Sequence, residues 1–85
     1  MIYLHVGNKK NIRERDIIGI FDTDSATVSV TTRRYLAAKE KEGLVEAAIE
    51  ELPKSFVLYQ DGEGKKRVCF SQLSPASLLG RVDFM

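Results

Sequence analysis

Two apolar segments joined by a short polar loop restrict the fold of this chain more than any other feature. Residues 55–59 and 67–73 each have the length and the apolar content of a β-strand. Between them lies Asp61-Gly62-Glu63-Gly64, in which the two glycines permit the backbone conformations of a hairpin loop. Pro53 prevents a helix from running into the first segment. The sequence therefore predicts a β-hairpin, and the rest of the chain must pack against it.

The first quarter of the chain also has strand patterns. Residues 1–6 alternate between two sets of side chains, and this period of two predicts a half-buried strand. Turn-forming residues follow at 7–8, so residues 11–13 are placed to pair back. Residues 17–21 form a continuous apolar run of strand length, which ends at the turn formers of 22–25.

The middle of the chain predicts the main helix. Residues 33–42 are good helix formers, and Thr31 or Thr32 is placed to cap their N-terminal end. Gly43 follows, where a helix usually ends in a left-handed residue. The side of this helix that we expect to be buried carries Tyr35, Leu36 and Ala37.

A second, short helix is predicted near the C-terminal end. Ser74 is placed as its cap, Pro75 takes the first helical position, and Gly80 closes it. Leu78 and Leu79 are its apolar side chains. Residues 44–52 are ambiguous, because their propensities favour a helix whereas their apolar residues alternate as in a strand.

Size and composition predict one globular domain that spans residues 1–85. The chain is 44% hydrophobic and 29% charged, which is the balance of a folded protein and not of a disordered one. We expect an α+β fold, with a mainly antiparallel sheet, one main helix and a short C-terminal helix. A core of this size is small, so association between subunits is an expected source of further stability.

The sequence gives little support for catalysis. Cys69 and His5 are the single residues of their types, so they predict neither a disulfide nor a metal site. Asp22 and Asp24 are too few oxygen ligands for a calcium site. We therefore expect no enzyme activity, no cofactor and no metal.

Location is predicted from what the sequence lacks. The chain does not start with a basic segment and an apolar run, as a signal peptide would. Its apolar runs are shorter than the roughly 20 residues that span a bilayer. A lone cysteine is consistent with reducing conditions, so we expect a cytoplasmic protein without a membrane partner.

Two neighbouring arginines are the strongest functional lead, although the formal net charge is only +1. Arg33 and Arg34 fall in the first turn of the predicted helix, where the helix dipole disfavours positive charge. Neither has an acidic residue three or four positions later to pair with it. Together with backbone N–H groups, two guanidinium groups form a site for phosphate. Solvated arginines, or a salt bridge to Asp22 or Asp24, are the alternatives.

A second basic group opens the predicted hairpin strand. Lys65, Lys66 and Arg67 are candidates for contact with phosphate, whereas the alternative is that they protect a strand edge from aggregation. Lys54 stands alone between Pro53 and Ser55. A single copy of such weak sites binds DNA poorly, but an array of identical subunits multiplies the interactions.

Four segments occur in the same order as in a family of small bacterial proteins. They are Tyr3-Leu4-His5-Val6-Gly7-Asn8, Ile17-Ile18-Gly19-Ile20-Phe21-Asp22, Leu52-Pro53-Lys54-Ser55-Phe56-Val57 and Ser74-Pro75-Ala76-Ser77-Leu78-Leu79-Gly80-Arg81. On these segments the chain resembles the RemA/RemB family of extracellular matrix regulators, and its RemB branch most closely. The likeness runs over nearly the whole chain and consists of order and spacing.

The resemblance implies a ring-forming homo-oligomer in the cytoplasm that binds double-stranded DNA and regulates the transcription of biofilm matrix genes. It implies that Arg33, Arg34 and Lys54 contact DNA, where RemA-like chains are also basic. It further implies a strand within residues 44–51. The basic residues at 65–67 are added from charge alone.

One departure from the family supports a second hypothesis. Glu50 and Glu51 stand where RemA-like chains carry arginines. On this hypothesis the chain is a protein-interaction module, which assembles with itself or with another regulator and reaches DNA only through that partner.

Overall fold

The structure is a computed structural model that describes residues 3–7, 10–47 and 52–81. Its strands are β1 (Tyr3–Gly7), β2 (Lys10–Arg13), β3 (Ile17–Asp22), β4 (Val45–Ala47), β5 (Ser55–Gln60) and β6 (Lys66–Ser71). Its α-helices are α1 (Thr23–Ala26), α2 (Val30–Lys41) and α3 (Pro75–Arg81), and a 3-10 turn covers Glu14–Asp16. The α+β class with a mainly antiparallel sheet is confirmed.

The predicted hairpin forms the centre of the main sheet. β5 pairs with β6 in antiparallel register, with Val57 opposite Cys69 and Phe56 opposite Phe70. β3 flanks β5 in antiparallel register, and β4 flanks β6 in parallel register, so the strand order is β3-β5-β6-β4. The β1–β2 hairpin is a separate two-stranded sheet.

The β1–β2 hairpin and α3 cover one side of the main sheet, which we call the hairpin side. Its core contains side chains from the hairpin, the sheet and α3, namely Leu4, Val6, Ile12, Val57, Tyr59, Cys69 and Leu78. A buried hydrogen bond of 2.5 Å, donated by the Ser71 hydroxyl to the Val6 carbonyl, joins the two sheets. Burial of this apolar surface is the main source of stability.

Helix α2 covers the opposite side of the sheet, which we call the helix side. Phe56 is buried there, stacks on Phe21 with ring centroids 5.1 Å apart, and meets Phe70 edge-on at 5.7 Å. None of the residues of α2 itself is buried. The helix therefore lies on this side without the dense packing of the hairpin side.

The predicted main helix is present, but it begins earlier than expected. Ser29 is the cap, since its hydroxyl accepts the Thr32 N–H at 3.4 Å, whereas the sequence pointed to Thr31 or Thr32. Because the Ser29 hydroxyl already accepts an N–H of the first turn, the helix begins at Val30 and Thr31 and Thr32 lie inside it. At the other end Gly43 has a φ of +73°, and the Leu44 N–H donates to the Lys39 carbonyl as in a Schellman motif.

Three details of the sequence prediction are wrong. Tyr35 and Ala37 are both exposed, because α2 presents Leu36 and Lys39 to the sheet. Gly80 does not close the last helix, which continues to Arg81. The Ser74 cap is confirmed by the Ser77 N–H, which donates to its hydroxyl at 3.1 Å.

The ambiguous segment is a strand as far as the structure describes it. β4 (Val45–Ala47) is a strand, as the family resemblance implies, and it pairs with β6. Residues 48–51, including Glu50 and Glu51, lie outside the described residues, as do residues 1–2, 8–9 and 82–85.

Candidate nucleic-acid interface

Strand alternation divides the basic cluster of β6 between the two sides of the sheet. Lys66 shares the helix side with Val68 and Phe70, whereas Arg67 shares the hairpin side with Cys69. The cluster that is continuous in sequence is therefore not one surface in the fold.

Arg67 is engaged on the hairpin side. Its Nε lies 2.5 Å from Asp61 Oδ2, and its Nη1 lies 3.6 Å from Glu46 Oε1. The Asp61 carboxylate also accepts the backbone N–H groups of Glu63 and Lys65, which shapes the hairpin loop. The bonds from Arg67 and from these N–H groups hold the pKa of Asp61 below its ordinary value. Arg67 therefore contributes to the fold with a charge that carboxylates already balance.

The Glu46 carboxylate also anchors the β1–β2 hairpin. Lys10 of β2 reaches Glu46 of β4 at 2.7 Å, and the Tyr59 hydroxyl donates to the other Glu46 oxygen at 2.6 Å. Burial alone would raise the pKa of Glu46, but the bonds from Lys10 and Tyr59 outweigh burial and lower it. Burial and the bond to Glu46 raise the pKa of Tyr59 to about 12. We call this group of side chains the ion network; its members are Lys10, Glu46, Tyr59, Asp61 and Arg67.

Arg33 is also held within the chain. Its guanidinium donates to the carbonyls of Thr27 at 2.6 Å and Val28 at 3.2 Å, in the loop that precedes α2. Asp22, one of the predicted salt-bridge partners, instead accepts the Ser25 N–H as the cap of α1. The two carbonyls explain why a cation is tolerated in the first turn of α2 without an acidic neighbour.

Arg34 differs from its neighbour, because it is exposed and the described residues offer it no ion pair. Lys54 is also exposed, and its backbone joins the start of β5 to Thr23 and Ser71 by hydrogen bonds of 3.0 and 2.9 Å. This end of the sheet is the end at which α2 begins, since Thr31 and Thr32 line a cleft with Phe21 and Phe56.

Lys65 and Lys66 lie at the other end of α2. They line an open groove of about 560 Å³ together with Lys39, Glu42 and Leu44. Lys39 is mostly covered, lies 5.6 Å from the centre of the Tyr35 ring and 3.6 Å from Glu42. Sequence reasoning missed Lys39, because only the pairing of β4 with β6 brings the end of α2 to the hairpin.

The basic side chains of the helix side consequently follow α2 from end to end. We call this set the helix-side cations; it consists of Arg34, Lys39, Lys41, Lys54, Lys65 and Lys66. Among the described residues, Glu40 and Glu42 are the acidic side chains of α2 and its cap. The opposite side of the sheet carries the balanced ion network. The surface suited to an anionic polymer is thus the helix side.

The candidate catalytic residues do not form a site among the described residues. Cys69 is buried in the core, and His5 is exposed, with Nδ1 3.0 Å from Asn11 Oδ1. A search of the described ranges for three or more grouped His, Cys, Asp and Glu side chains that could hold a metal found none. Within these ranges, the helices are also too short or too polar to cross a membrane.

Comparison with known proteins adds no assignment. A scan against protein-family models finds no match, and a search of curated proteins finds no significant similarity.

Proposed function

We propose that the chain is a cytoplasmic, homo-oligomeric transcription regulator that binds double-stranded DNA, as its resemblance to the RemA/RemB family implies. The observation that carries this proposal is the row of helix-side cations along α2. Of these, Arg34, Lys54, Lys65 and Lys66 are exposed and were predicted to contact DNA. Cations of this kind bind the phosphate backbone and do not by themselves read base sequence. The resemblance further implies that the regulated genes are those of the biofilm matrix.

Two of the arginines predicted to contact DNA are left out of the proposed set. Arg33 donates to two loop carbonyls, and Arg67 is paired with Asp61 and Glu46. Releasing either side chain to reach a phosphate would first break these bonds, which reduces the net gain from binding the phosphate.

Self-association is supported by apolar side chains on the surface. Most of the exposed large apolar residues lie on β3, around the start of α2, or just before β5; these are Ile18, Phe21, Val28, Val30, Tyr35 and Leu52. Among them, Phe21 and Tyr35 line one apolar cleft with Phe56, and an exposed apolar cleft is typical of an interface between proteins. β3 is also an edge of the main sheet, where a strand of another copy can pair.

The same apolar surface supports the second hypothesis, in which the chain is a scaffold that reaches DNA only through a partner regulator. On this hypothesis the helix-side cations keep the surface soluble and do not bind phosphate. The two hypotheses agree on assembly and differ on whether the purified chain binds DNA.

One pair of measurements separates the hypotheses. The purified chain is titrated into a fluorescent random duplex at salt concentrations from low to physiological, and its mass in solution is measured by light scattering. We expect an oligomer whose affinity falls steeply with salt. The Lys65→Ala/Lys66→Ala variant should bind more weakly, whereas Arg15→Ala, which removes a charge near the ion network, should bind as the unmodified chain does.

Each failure has a distinct meaning. An oligomer that does not bind duplex at low salt would replace the proposed function with the scaffold hypothesis. A strictly monomeric chain would contradict both hypotheses, since both depend on assembly.

A further inference from the structure

The outward face of α2 carries two exposed cations that align along the helix. Arg34 and Lys41 are seven residues apart, which places them within about 20° of each other around a helix of 3.6 residues per turn. The opposite face, which turns toward the sheet, carries the half-buried Thr32, Leu36 and Lys39. Arg34 and Lys41 therefore point away from the sheet, on the side that an approaching molecule meets first.

The surface between these two cations is low and uncharged. Ala37 and Ala38 lie on the same face and are exposed, so only methyl groups separate Arg34 from Lys41. At a rise of 1.5 Å per residue, the two charged residues start about 10 Å apart along the helix axis. One strand of a duplex carries a phosphate every 3.4 Å along its axis. Because the strand also winds around that axis, its phosphates lie farther apart in space than this rise, so cations about 10 Å apart with long side chains can reach two nearby phosphates of one strand.

Arg34 and Lys41 differ from the other cations of α2, which are bonded within the chain. Arg33 is bonded to the loop carbonyls of Thr27 and Val28, and Lys39 is paired with Glu42. Arg34 and Lys41 have no ion-pair partner among the described residues, whereas Glu40 lies on the flank of the helix. The basic groove with Lys65 and Lys66 continues the surface beyond the last turn.

We propose that α2 lies along the phosphate backbone of a duplex, with Arg34 and Lys41 binding phosphates of one strand. This inference rests on the proposed function and assigns to Lys41 a role that sequence reasoning did not identify. Between Arg34 and Lys41 the outward face carries the methyl groups of Ala37 and Ala38, which neither donate to nor accept from a base edge. The helix therefore positions the duplex without reading its sequence by hydrogen bonds.

The alternative role of Lys41 is local. A cation in the last turn of a helix interacts favourably with the helix dipole, and this effect requires no ligand. A local role predicts lower thermal stability without Lys41 and unchanged DNA binding, so the two roles have different readouts.

The test compares two double variants that remove the same charge. Arg34→Ala/Lys41→Ala changes the outward face of α2. The matched control, Arg15→Ala/Arg81→Ala, removes two exposed cations on the hairpin side. Binding to a fluorescent random duplex is measured over a range of salt concentrations, with thermal melting and solution mass as checks on folding and assembly. Arg34→Gln/Lys41→Gln provides the same test with longer, helix-compatible side chains if the alanine variant does not fold.

We expect the α2 variant to lower the slope of log affinity against log salt by about one for each phosphate that the variant no longer binds. The control should keep the slope of the unmodified chain. Equal slopes for the α2 variant and the unmodified chain, or an equal decrease in both variants, would overturn the inference and leave DNA binding intact. An unmodified chain that does not bind duplex would instead contradict the proposed function.

Discussion

The two sides of the main sheet use charge in opposite ways. On the hairpin side, Glu46 bonds to both Lys10 and Tyr59, and Arg67 is bonded to Asp61. On the helix side, cations such as Arg34 are exposed, and the described residues give them no ion pair. The first arrangement links strands that are distant in sequence. The second leaves positive charge available to a partner.

The hairpin side, where the charges are paired, is also the more densely packed side. The hairpin side contains a core of fully buried side chains, among them Leu4, Val57 and Leu78, whereas α2 has no buried residue. Stability therefore comes mainly from the hairpin side and from the sheet residues that α2 covers, such as the buried Phe56 and Val68. The outward face of α2 can change with little loss of stability. This difference is what separates a structural surface from a binding surface in so small a chain.

The largest predicted effect tests the difference in packing. Leu78→Ala should lower the free energy of unfolding by about 2–5 kcal/mol, because it removes a fully buried side chain and leaves a cavity. The matched change Leu79→Ala, at the neighbouring position, should cost about 0.5 kcal/mol or less, since Leu79 is half exposed. Denaturant unfolding of the three proteins measures both values.

The helix side provides the comparison for the same substitution. Leu36→Ala should cost about 1 kcal/mol, since Leu36 is half-buried between α2 and the sheet. If Leu36→Ala were as destabilising as Leu78→Ala, the two sides would be equally important for stability, and the contrast between them would disappear.

The next effect concerns the ion network and its dependence on pH. The pKa of Glu46 is lower in the folded chain than its ordinary value of 4.5, so its contribution to stability is present above pH 4.5 and is lost as the pH falls through the folded value. Glu46→Gln should cost about 1 kcal/mol at pH 7, because a charged hydrogen-bond acceptor is replaced by a neutral one. The difference between the two proteins should shrink as the pH falls below 4.5 and through the lowered pKa of Glu46.

Asp61 also affects how the stability of the Glu46→Gln variant depends on pH. Its pKa is also lowered, and Glu46→Gln leaves the bond between Asp61 and Arg67 in place, so the variant should still lose some stability in acid. Urea unfolding at several pH values between about 7 and 3 gives the two curves. Parallel curves for Glu46→Gln and the unmodified chain would show that the charge of Glu46 does not stabilise the fold.

The elements of the fold were largely predictable from the sequence, because local signals determine them. The β5–β6 hairpin, the strand at Ile17–Asp22 and the Gly43 end of α2 each depend on patterns within a few residues. The parallel pairing of β4 with β6 has no local signal, since it joins segments that are 23 residues apart from Val45 to Val68. The family resemblance implied a strand there, but not its partner.

The candidate site was less predictable, because it depends on which way side chains point. Lys65, Lys66 and Arg67 form one cluster in sequence, but the period of two turns Arg67 toward Asp61 and Glu46. Arg33 and Arg34 are also neighbours, and the loop before α2 takes up only Arg33. Lys41 gave no signal of its own, because a lysine near a helix end is common and its alignment with Arg34 matters only once the exposed face is known.

The smallest predicted effect separates the two neighbouring arginines. Arg33→Ala removes two hydrogen bonds to the carbonyls of Thr27 and Val28, which should cost about 0.5 kcal/mol because the site is exposed. For a chain of this size the melting temperature should fall by about 2–4 °C. The salt slope of DNA binding should stay unchanged, since this guanidinium is already engaged. Arg34→Ala should do the reverse, with an unchanged melting temperature and a smaller slope.

Removal of either arginine takes away one positive charge from the same helical turn, so a general charge effect would alter DNA binding equally in both variants. An equal decrease in slope would therefore show that the bonds of Arg33 to the two carbonyls do not keep it from DNA. In that case, hydrogen bonds within the chain would not determine which cations bind phosphate. The exposure of each cation would determine it.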